Sequence, residues 1–462
     1  MCNDSSYFTG KLFHVNGQSY FFNTIPGTIN EIANNMAPIL HDHLNPHGGC
    51  DIPRSGSYTG DLRPVIRNPY TTAEIKETLN HKLRLLVLEL TTSCNMNCAY
   101  CINGTSYEQK DCFTSIQMSK QSAFDGVDYL INHSQNQSKP LAISFYGGEP
   151  LLRYSLLKEI TIYAEKEASK KGKDIFFSIT TNGTLLTGEM IEFFIQHSFQ
   201  LVISLDGPAE INDRNRKLKN GEGTFNQIMN ILQMIKKRDA VYFNHMVRCS
   251  VVVMPNADLI ELATFFNELH VNLIVNFVET YGLDDARFRQ KAPNNSMDTL
   301  QNSLIERLSK EGISILSNSS SGKDFSIALL SPMLRRFLES QSSSRFMELG
   351  QCIPGASRLY LAADNYYYPC EKLAGHSIAR IGNIETGIDP IKAENLIKQF
   401  YEMTSSKCSG CWMSSRCSAC LALTCSGDGL DENKFNHYCN GIKSWGLSDL
   451  KMISKTMFQK CV

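Results

Sequence analysis

The sequence predicts an α/β protein whose centre is an open, partial barrel of six strand–helix units. Six apolar runs of strand length alternate with helical patterns from residue 84 onward, and such alternation favours parallel strands joined by right-handed crossovers. Short motifs rich in Cys, Gly, Asn and Asp follow four of these runs, at the end where parallel barrels gather their chemistry. A closed barrel of this kind needs eight strands, so six units predict a barrel that stays open.

The composition is that of a globular protein with more than one domain. The chain has 462 residues, of which 42% are hydrophobic and 20% charged, and its formal net charge is −1. Because there is no net basic field to attract polyanions, we expect neither nucleic acid nor a membrane as a partner. No signal-peptide pattern is visible, and the longest apolar runs have only the length of a strand. The sequence therefore predicts a cytoplasmic protein.

Residues 1–80 are expected to form a separate N-terminal unit. Asn16-Gly17 lies between two strand-like arms, which is a strong hairpin signal. A capping-box pattern at residues 28–31 predicts a helix over residues 28–40. A second capping box at residues 71–74 predicts the helix that leads into the barrel.

The barrel is expected to span residues 84–282. Its predicted strands are residues 84–90, 141–146, 174–181, 200–205, 247–254 and 272–279. Helical patterns separate them, for example at residues 155–171 and 223–237. The polar, Ser-rich stretch 283–345 predicts connecting helices. Residues 346–462 have few periodic runs but many cysteines, so we expect this domain to fold around metal.

Three of the 16 cysteines directly follow the first predicted strand. Cys94, Cys98 and Cys101 have the spacing C-x3-C-x2-C. Thiolates are the preferred ligands of iron–sulfur clusters, and three of them can hold three corners of a cubane cluster while one iron stays open. Two alternatives are a zinc site completed by His81 and three thiols without a ligand role.

This loop and three later motifs resemble the radical S-adenosylmethionine (SAM) enzymes. The family signature is C-x3-C-x2-C with an aromatic residue before the last Cys, here Tyr100. "YGGEP" at 146–150 resembles the family's GGEP segment, which meets the amino group of SAM. "SITTNGTLL" at 178–186 and "SLDGPAEINDRNR" at 204–216 resemble its ribose and carboxylate contacts. All four motifs follow predicted strands in the expected order, and the resemblance covers roughly residues 84–280.

The resemblance implies a set of SAM-binding residues. They are Tyr100, Gly147, Gly148, Glu149, Pro150, Ser178, Asn182, Ser204, Asp206 and Arg216. The two glycines would let backbone approach the ligand, and Glu149 would hold the amine. Asp206 and Ser204 would bind the ribose, and Arg216 the carboxylate. The family often has His-Asp-x-x-Arg here, and this chain lacks the His, so Arg214 competes with Arg216. No general base is identified.

The resemblance also implies the reaction. SAM would chelate the open iron of a 4Fe–4S cluster, and one electron from the reduced cluster would cleave it to methionine and a 5′-deoxyadenosyl radical. That radical would abstract a hydrogen atom from an unactivated carbon of the substrate, while the protein orients the reactants. An external one-electron reductant of the flavodoxin or ferredoxin type would be a partner.

A second cysteine group resembles the SPASM extension, which holds two auxiliary 4Fe–4S clusters in radical SAM peptide maturases. Its members are Cys352, Cys370, Cys408, Cys411, Cys417, Cys420, Cys425 and Cys439. "AADNYYYPC" at 362–370 is similar to the extension's DG-x-x-x-PC stretch, with Asn365 at the usual Gly, and Asn tolerates the left-handed turn needed there. One or two four-cysteine zinc sites are the alternative.

The family pattern assigns these cysteines to two clusters. Cys408, Cys411, Cys417 and Cys439 would hold one, and Cys352, Cys370 and a later cysteine the other. The usual spacing C-x2-C-x5-C-x3-C is broken, because Cys420 comes one residue early and Cys425 lies further on. If both ligate, two closed clusters result. If only Cys420 ligates, an open iron is left for a substrate thiolate, which fits thioether-forming maturases.

The whole chain therefore resembles a maturase that crosslinks a ribosomally made precursor peptide through a thioether or carbon–carbon bond. The N-terminal hairpin and helix resemble a winged-helix element that binds a leader peptide as an added strand. Alternatives are an anaerobic sulfatase-maturating enzyme that makes formylglycine from Cys or Ser, and a radical SAM dehydrogenase of a small molecule. A zinc-stapled binding protein is the alternative without catalysis.

Overall fold

The structure is a computed structural model of the chain. The residues that it describes are 8–23, 28–32, 49–50, 70–101, 115–134, 139–279, 281, 296–316, 321–338, 352–408 and 411–458.

A small antiparallel sheet forms the N-terminal unit. Its strands are β1 (Phe8–Val15), β2 (Gln18–Asn23), β3 (Thr28–Ile32) and β4 (Gly49–Cys50), in the spatial order β3-β2-β1-β4. The hairpin predicted around Asn16-Gly17 is confirmed. Asn16 has φ 49° and Gly17 φ 79°, as a two-residue hairpin turn of the right twist requires.

The helix predicted after Thr28 is wrong over residues 28–32. These residues form β3, in which Ile29 pairs with Phe22 of β2. The capping signal is local, and pairing with the hairpin satisfies the backbone groups of these residues instead. Residues 33–40, the rest of the predicted helix, lie outside the described residues. A winged-helix arrangement of this unit is not shown.

The six-strand barrel is confirmed. Its strands are β5 (Leu85–Glu89), β6 (Leu141–Tyr146), β7 (Ile175–Thr181), β8 (Gln200–Ser204), β9 (Val247–Val253) and β10 (Asn272–Phe277). They are parallel and lie side by side in chain order, so every crossover joins neighbouring strands. The C-terminal ends of all six therefore meet at one edge, where the motifs lie.

Helices precede and separate these strands. They are α1 (Thr72–His81), α2 (Lys120–Asn132), α3 (Tyr154–Lys170), α4 (Gly188–Gln196), α5 (Ala209–Asn215), α6 (Phe225–Arg238), α7 (Ala240–Met246) and α8 (Leu259–Leu269). The second predicted capping box is present at the start of α1, where Thr71 and Glu74 bond to each other's backbone N–H groups.

Burial alternates along the barrel strands. In β6, Ile143 and Phe145 are fully buried while Ser144 and Tyr146 are half-buried. Ser144 lies beside Ser178 of β7 in the parallel register, and paired residues share a face of the sheet. We infer that the buried apolar residues face the helices and that the half-buried ones line the barrel interior.

The cysteine-rich C-terminal region continues the barrel sheet. Strand β11 (Arg358–Leu361) pairs in parallel with β5, with Tyr360 beside Val87. Three short antiparallel strands extend it further, namely β12 (Tyr366–Tyr368), β13 (Gly382–Asn383) and β14 (Gly387–Ile388), to make ten strands in all. Asn365 has φ 71° in the turn before β12, which confirms the left-handed conformation expected of it.

The remaining described elements cover the barrel and hold the second cysteine group. They are α9 (Ser296–Glu311), α10 (Phe325–Leu338), α11 (Pro390–Cys408), α12 (Glu432–Phe458) and the short hairpin of β15 (Cys425–Ser426) and β16 (Gly429–Leu430). Helix α12 packs against α9, α10 and β1, and α11 packs against α1. No helix in the described ranges has both the length and the apolar character needed to cross a membrane.

Candidate active site

The C-x3-C-x2-C loop lies at the C-terminal end of β5, where it was predicted. Its backbone pairs with the segment that follows α5. The Asn97 N–H donates to the Lys217 carbonyl oxygen at 2.9 Å, and the Ala99 N–H donates to the Asn215 carbonyl oxygen at 2.9 Å. These bonds replace the regular secondary structure that a loop of residues 94–101 lacks, and so they fix its conformation.

Nitrogen donors point at the sulfurs of Cys94 and Cys98. The backbone N–H of Met96 donates to Cys94 Sγ at 3.4 Å, and the Asn182 side-chain amide lies 3.8 Å from the same sulfur. Arg216 Nη1 lies 3.7 Å from Cys98 Sγ. Burial raises the pKa of Cys94, and that of Cys98 to about 11, so a bound metal would have to displace protons. Sulfurs surrounded by N–H donors suit the thiolate ligands of an iron–sulfur cluster.

Gly147 and Gly148 bring the end of β6 against the base of the cysteine loop. Gly147 has φ 131°, and a Cβ on it would lie 2.3 Å from the Thr91 carbonyl oxygen. A Cβ on Gly148 would lie 2.2 Å from the Ser93 carbonyl oxygen, and the Gly148 N–H donates to Thr91 O at 2.8 Å. The predicted need for glycine is therefore met by close backbone approach. The Gly148 amide is bonded within the protein.

Glu149 lies behind the cysteine loop, where protein groups surround its carboxylate, and its expected contact with the amine of SAM stays a prediction. Its side chain is fully buried and accepts hydrogen bonds from the Leu151 N–H at 3.0 Å, the Thr181 hydroxyl at 2.7 Å and the Asn182 N–H at 2.8 Å. Burial raises its pKa to about 6. Glu149 therefore joins the ends of β6 and β7, and Pro150, also buried, begins the short 3₁₀ helix Pro150–Arg153.

Asn182 supports the cysteine loop. Its amide nitrogen donates to Asn95 Oδ1 at 2.9 Å as well as toward Cys94. Its oxygen accepts from the backbone N–H and the hydroxyl of Thr184, at 2.9 and 2.7 Å. Asn95 in turn donates to the Thr184 hydroxyl at 2.8 Å. The three side chains form one network beneath the loop.

Asp206 is also enclosed by protein, and its expected contact with ribose stays a prediction. It has 0% exposure and accepts hydrogen bonds from the Tyr100 hydroxyl and, at 3.1 Å, from the Val252 N–H. Arg216 Nε lies 3.2 Å from its Oδ2. Tyr100 and Arg216 are themselves buried. These residues form a charged cluster behind Cys98.

Ser178 and Ser204 are the predicted contacts that stay available to a ligand. Both are half-buried. Ser178 lies in the middle of β7, and Ser204 ends β8, where it lies beside Ser250 of β9 in the register. Arg214, the competitor of Arg216, is exposed. Of the two arginines, only Arg216 reaches the cysteine loop.

Four cysteines of the C-terminal region line a single cavity. Cys408, Cys411, Cys417 and Cys439 line it together with Phe400, Phe435, Ile442 and Lys443. Burial and the thiols of Cys417, Cys411 and Cys439 raise the pKa of Cys408 to about 12. The structure thus brings together the four residues that were assigned to one auxiliary cluster.

The other four cysteines form a second group. Cys370 and Cys420 each precede a 3₁₀ turn with extended backbone, at φ −161° and −141°. Burial, Glu371 and the Cys352 thiol raise the pKa of Cys370 to about 11. Burial, with added effects of Cys420 and Cys370, raises that of the fully buried Cys425 to about 12. Cys425 is therefore a neighbour of the same group.

Within the part of the chain that the structure describes, no three His, Cys, Asp or Glu side chains are placed to ligate one common metal ion. The cysteine groups are defined by their shared cavity, backbone turns and electrostatic contacts.

Comparison with known proteins identifies the central domain. The profile of the radical SAM superfamily matches residues 88–262, which include the cysteine loop and the ends of β6, β7 and β8. The chain contains a radical SAM domain. The protein is therefore an enzyme, and the superfamily implies a 4Fe–4S cluster and SAM as cofactors of this domain. The non-catalytic alternative is not retained.

Relatives of the radical SAM domain have several activities. Radical SAM cyclopropyl synthase TigE of Paramaledivibacter caminithermalis is 23% identical over 216 residues, which are 44% of each chain. A cysteine-type anaerobic sulfatase-maturating enzyme of Clostridium perfringens is 22% identical over 371 residues, or 79% of this chain and 95% of that protein. This chain spans less than half the length of TigE and of two further curated relatives that it matches.

A solved structure shares the fold. Native anSMEcpe with bound AdoMet and Cp18Cys peptide superposes with a TM-score of 0.57 at 22% identity, covering 81% of this chain and 99% of that one. The radical SAM α/β fold is thus common to both.

Sequence reasoning missed the supports of the radical SAM site. Asn95 and Thr184 connect the cysteine loop to β7, and the backbone of residues 215–219 pairs with the loop. The one available signal was that Asn95 lies inside the C-x3-C-x2-C motif itself.

Proposed function

We propose that the protein is a radical SAM maturase that crosslinks a ribosomally synthesised peptide. The observation that carries this proposal is the placement of the N-terminal sheet. Strand β1 packs against α12, and the Phe22 ring lies 6.3 Å from that of Trp412, next to Cys411. A sheet with an edge strand is thereby joined to the body that carries the cysteine groups, which suits an extended peptide as partner.

In this proposal the radical SAM domain does the hydrogen abstraction. Cys94, Cys98 and Cys101 hold the cluster, and Ser178 and Ser204 face SAM from the barrel interior. When bound, cluster and SAM supply a 5′-deoxyadenosyl radical that removes a hydrogen atom from a substrate carbon. The protein's own contribution is to fix the loop through residues 215–219, and to shield the reacting atoms from water inside the barrel.

The two C-terminal cysteine groups would hold auxiliary 4Fe–4S clusters. The shared cavity supports Cys408, Cys411, Cys417 and Cys439 as one ligand set. For the other set, the burial of Cys425 beside Cys420 and Cys370 supports four ligands over three. A closed cluster would not bind a substrate thiolate, so its role would be to accept an electron.

Electron transfer to an auxiliary cluster would account for the second electron that crosslinking removes from the peptide. Forming one crosslink removes two hydrogens from the peptide. The first leaves as the abstracted hydrogen atom, and the second as a proton to a base and an electron to an auxiliary cluster. A flavodoxin- or ferredoxin-type protein would supply the electron that starts each cycle.

The leader peptide would add to the sheet at β3, which is an edge strand of the sheet as far as the chain is described. Asn30 and Glu31 are exposed neighbours on β3, and one of their N–H groups points outward because such groups alternate along a strand. Proline at whichever of the two residues has the outward N–H removes only that outward donor. Proline at the residue whose N–H points inward breaks a hydrogen bond to β2. We expect the variant that loses the outward N–H to bind the precursor's leader at least about tenfold more weakly, while its thermal stability is unchanged. Wild-type binding by both would contradict strand addition.

Sulfatase maturation is the second candidate, because the sulfatase-maturating relative from Clostridium perfringens is matched over 95% of its length. The two functions differ in their products. Anaerobic incubation with SAM and a reductant should be run on the peptide encoded beside the gene and on a sulfatase-derived peptide. A crosslink removes two hydrogens and gives no carbonyl, whereas formylglycine reacts with a hydrazide probe.

Metal analysis separates both from a zinc-stapled protein. About 12 Fe per chain is the expectation for three cubane clusters, and stoichiometric zinc without sulfide would contradict it. Failure of well-reconstituted protein to form 5′-deoxyadenosine would overturn the proposal. A cytoplasmic location stays a prediction.

A further inference from the structure

We propose that Arg216 is a positioning residue that sets the reduction potential of the cluster through the Cys98 sulfur, and that it does not bind the carboxylate of SAM. The proposal rests on the assigned radical SAM domain, because it requires a cluster in the loop. It is independent of which substrate is modified.

The Nε and Nη1 atoms of the Arg216 guanidinium both contact protein groups. Its side chain is only 10% exposed, with Nε 3.2 Å from Asp206 Oδ2 and Nη1 3.7 Å from Cys98 Sγ. Its Cζ lies 5.6 Å from the centre of the Tyr100 ring. A guanidinium binds a carboxylate best as a two-pronged fork, and in Arg216 Nε is ion-paired with Asp206 while Nη1 faces the Cys98 sulfur.

The backbone holds this side chain in register with the cysteine loop. The Arg216 N–H donates to the Asn212 carbonyl oxygen at 2.8 Å, and the Thr224 hydroxyl donates to the Arg216 carbonyl oxygen at 3.2 Å. The preceding residue, Asn215, accepts from Ala99 inside the loop. The distance between the guanidinium and the Cys98 sulfur is therefore fixed by paired backbone segments, and not by a flexible side chain alone.

The charge of Arg216 is partly balanced behind the sulfur. Asp206 is fully buried and is held by the Tyr100 hydroxyl and the Val252 N–H. Isolated buried charges are costly, whereas a paired and hydrogen-bonded charge persists. Tyr100, which comes between Cys98 and Cys101 in sequence, thus orients the counter-ion of the arginine that touches the cluster ligand.

The consequence follows from the charge of the cluster. Reduction adds a negative charge, and hydrogen bonds to cluster sulfurs and nearby positive charge stabilise the reduced form. Arg216 should therefore raise the reduction potential, while Asp206 limits that increase. Donation from the Tyr100 hydroxyl disperses the Asp206 charge, so its loss should lower the potential.

The test is a redox titration of the full, reconstituted protein, followed by the EPR signal that changes when SAM is added. That response identifies the cluster in the presence of the others. We expect Arg216→Gln to reduce the equilibrium constant for one-electron reduction at least about tenfold, which is about 59 mV. Arg216→Lys should restore part of the potential because it keeps the charge. Arg214→Gln, the same substitution on an exposed neighbour, should leave the potential unchanged.

Tyr100→Phe keeps the ring and removes only the hydroxyl, so it tests the same chain of contacts even if Arg216→Gln does not assemble a cluster. We expect the equilibrium constant for one-electron reduction to fall at least about twofold, and the affinity for SAM to stay within about threefold of wild type. Unchanged potentials in Arg216→Lys and Tyr100→Phe, or loss of SAM affinity at unchanged potential, would overturn the proposal. Absence of SAM cleavage by the wild-type protein would instead refute the proposed function.

Discussion

The Asn182 N–H donates to the Glu149 carboxylate at 2.8 Å, although the two residues are 33 positions apart in the chain. This bond joins the ends of β6 and β7 directly beneath the cysteine loop. The GGEP and TNG motifs therefore connect the barrel strands to the loop, because their polar side chains hydrogen-bond to protein groups.

Replacing Glu149 should loosen this connection. Glu149→Ala leaves the Leu151 N–H, the Thr181 hydroxyl and the Asn182 N–H without their acceptor, and each unsatisfied buried group costs about 1–3 kcal/mol. We expect a loss of about 3 kcal/mol or more in the free energy of unfolding, and weaker retention of iron. Thermal unfolding and iron analysis measure both. Glu189→Ala, which removes an exposed acid paired with Lys158, should change stability by less than about 0.5 kcal/mol.

Removal of the three loop cysteines should abolish SAM cleavage without unfolding the protein. In a Cys94→Ala, Cys98→Ala, Cys101→Ala variant, we expect iron to fall by about one third, since one cubane of three is lost. Formation of 5′-deoxyadenosine should disappear while the circular dichroism spectrum is kept. Retention of all the iron would mean that the loop holds no cluster.

Cys425→Ala tests the fourth ligand of the second cysteine group. If Cys425 ligates, the variant should lose iron or show the spectrum of an incomplete cluster. Cys249→Ala is the matched control, because Cys249 is equally buried but lies in β9, apart from both groups. Wild-type iron content and spectra in Cys425→Ala would restore the hypothesis of an open iron.

Asp449 predicts a specific pH dependence. Its side chain in α12 is 1% exposed, and burial raises its pKa from 3.8 to about 8. The folded state thus holds a proton that the unfolded state loses above about pH 4, so this contribution to stability is full below pH 4 and is lost as the pH rises to 8. Asp449→Asn should remove a slope of up to about 1.4 kcal/mol per pH unit.

Thermal midpoints at one scan rate between pH 5.5 and 8 measure this difference. The gap between variant and wild type should grow with pH. Asp298→Asn, at an exposed position of α9, should run parallel to wild type. Parallel curves for Asp449→Asn would contradict the shift.

The barrel could be predicted from the sequence because its signal is local and repeated. Strand ends at Tyr146, Thr181 and Ser204 fall where the apolar runs stop, and the cysteine loop follows β5 as predicted. Strand β3 could not be predicted, since its conformation depends on pairing with β2 and the local capping pattern favoured a helix.

The roles of individual site residues were harder to predict. Glu149, Asn182 and Asp206 are polar residues in family motifs, so the resemblance assigned them to SAM. Whether a carboxylate faces a ligand or the protein depends on contacts such as those of Val252 and Thr181, which lie far away in the chain. Motif position indicates the neighbourhood of a residue, and only the folded contacts show its direction.

The parallel pairing of β11 with β5 has a consequence for how the protein is made. Leu86, Val87 and Leu88 of β5 are buried, and β11 saturates the hydrogen-bonding edge that β5 would otherwise present. During synthesis the barrel is complete long before Arg358 emerges, so the nascent domain carries an open, apolar strand edge, a template for intermolecular association. Solubility of the barrel is thereby coupled to completion of the chain, and fragments ending before Cys352 are expected to aggregate.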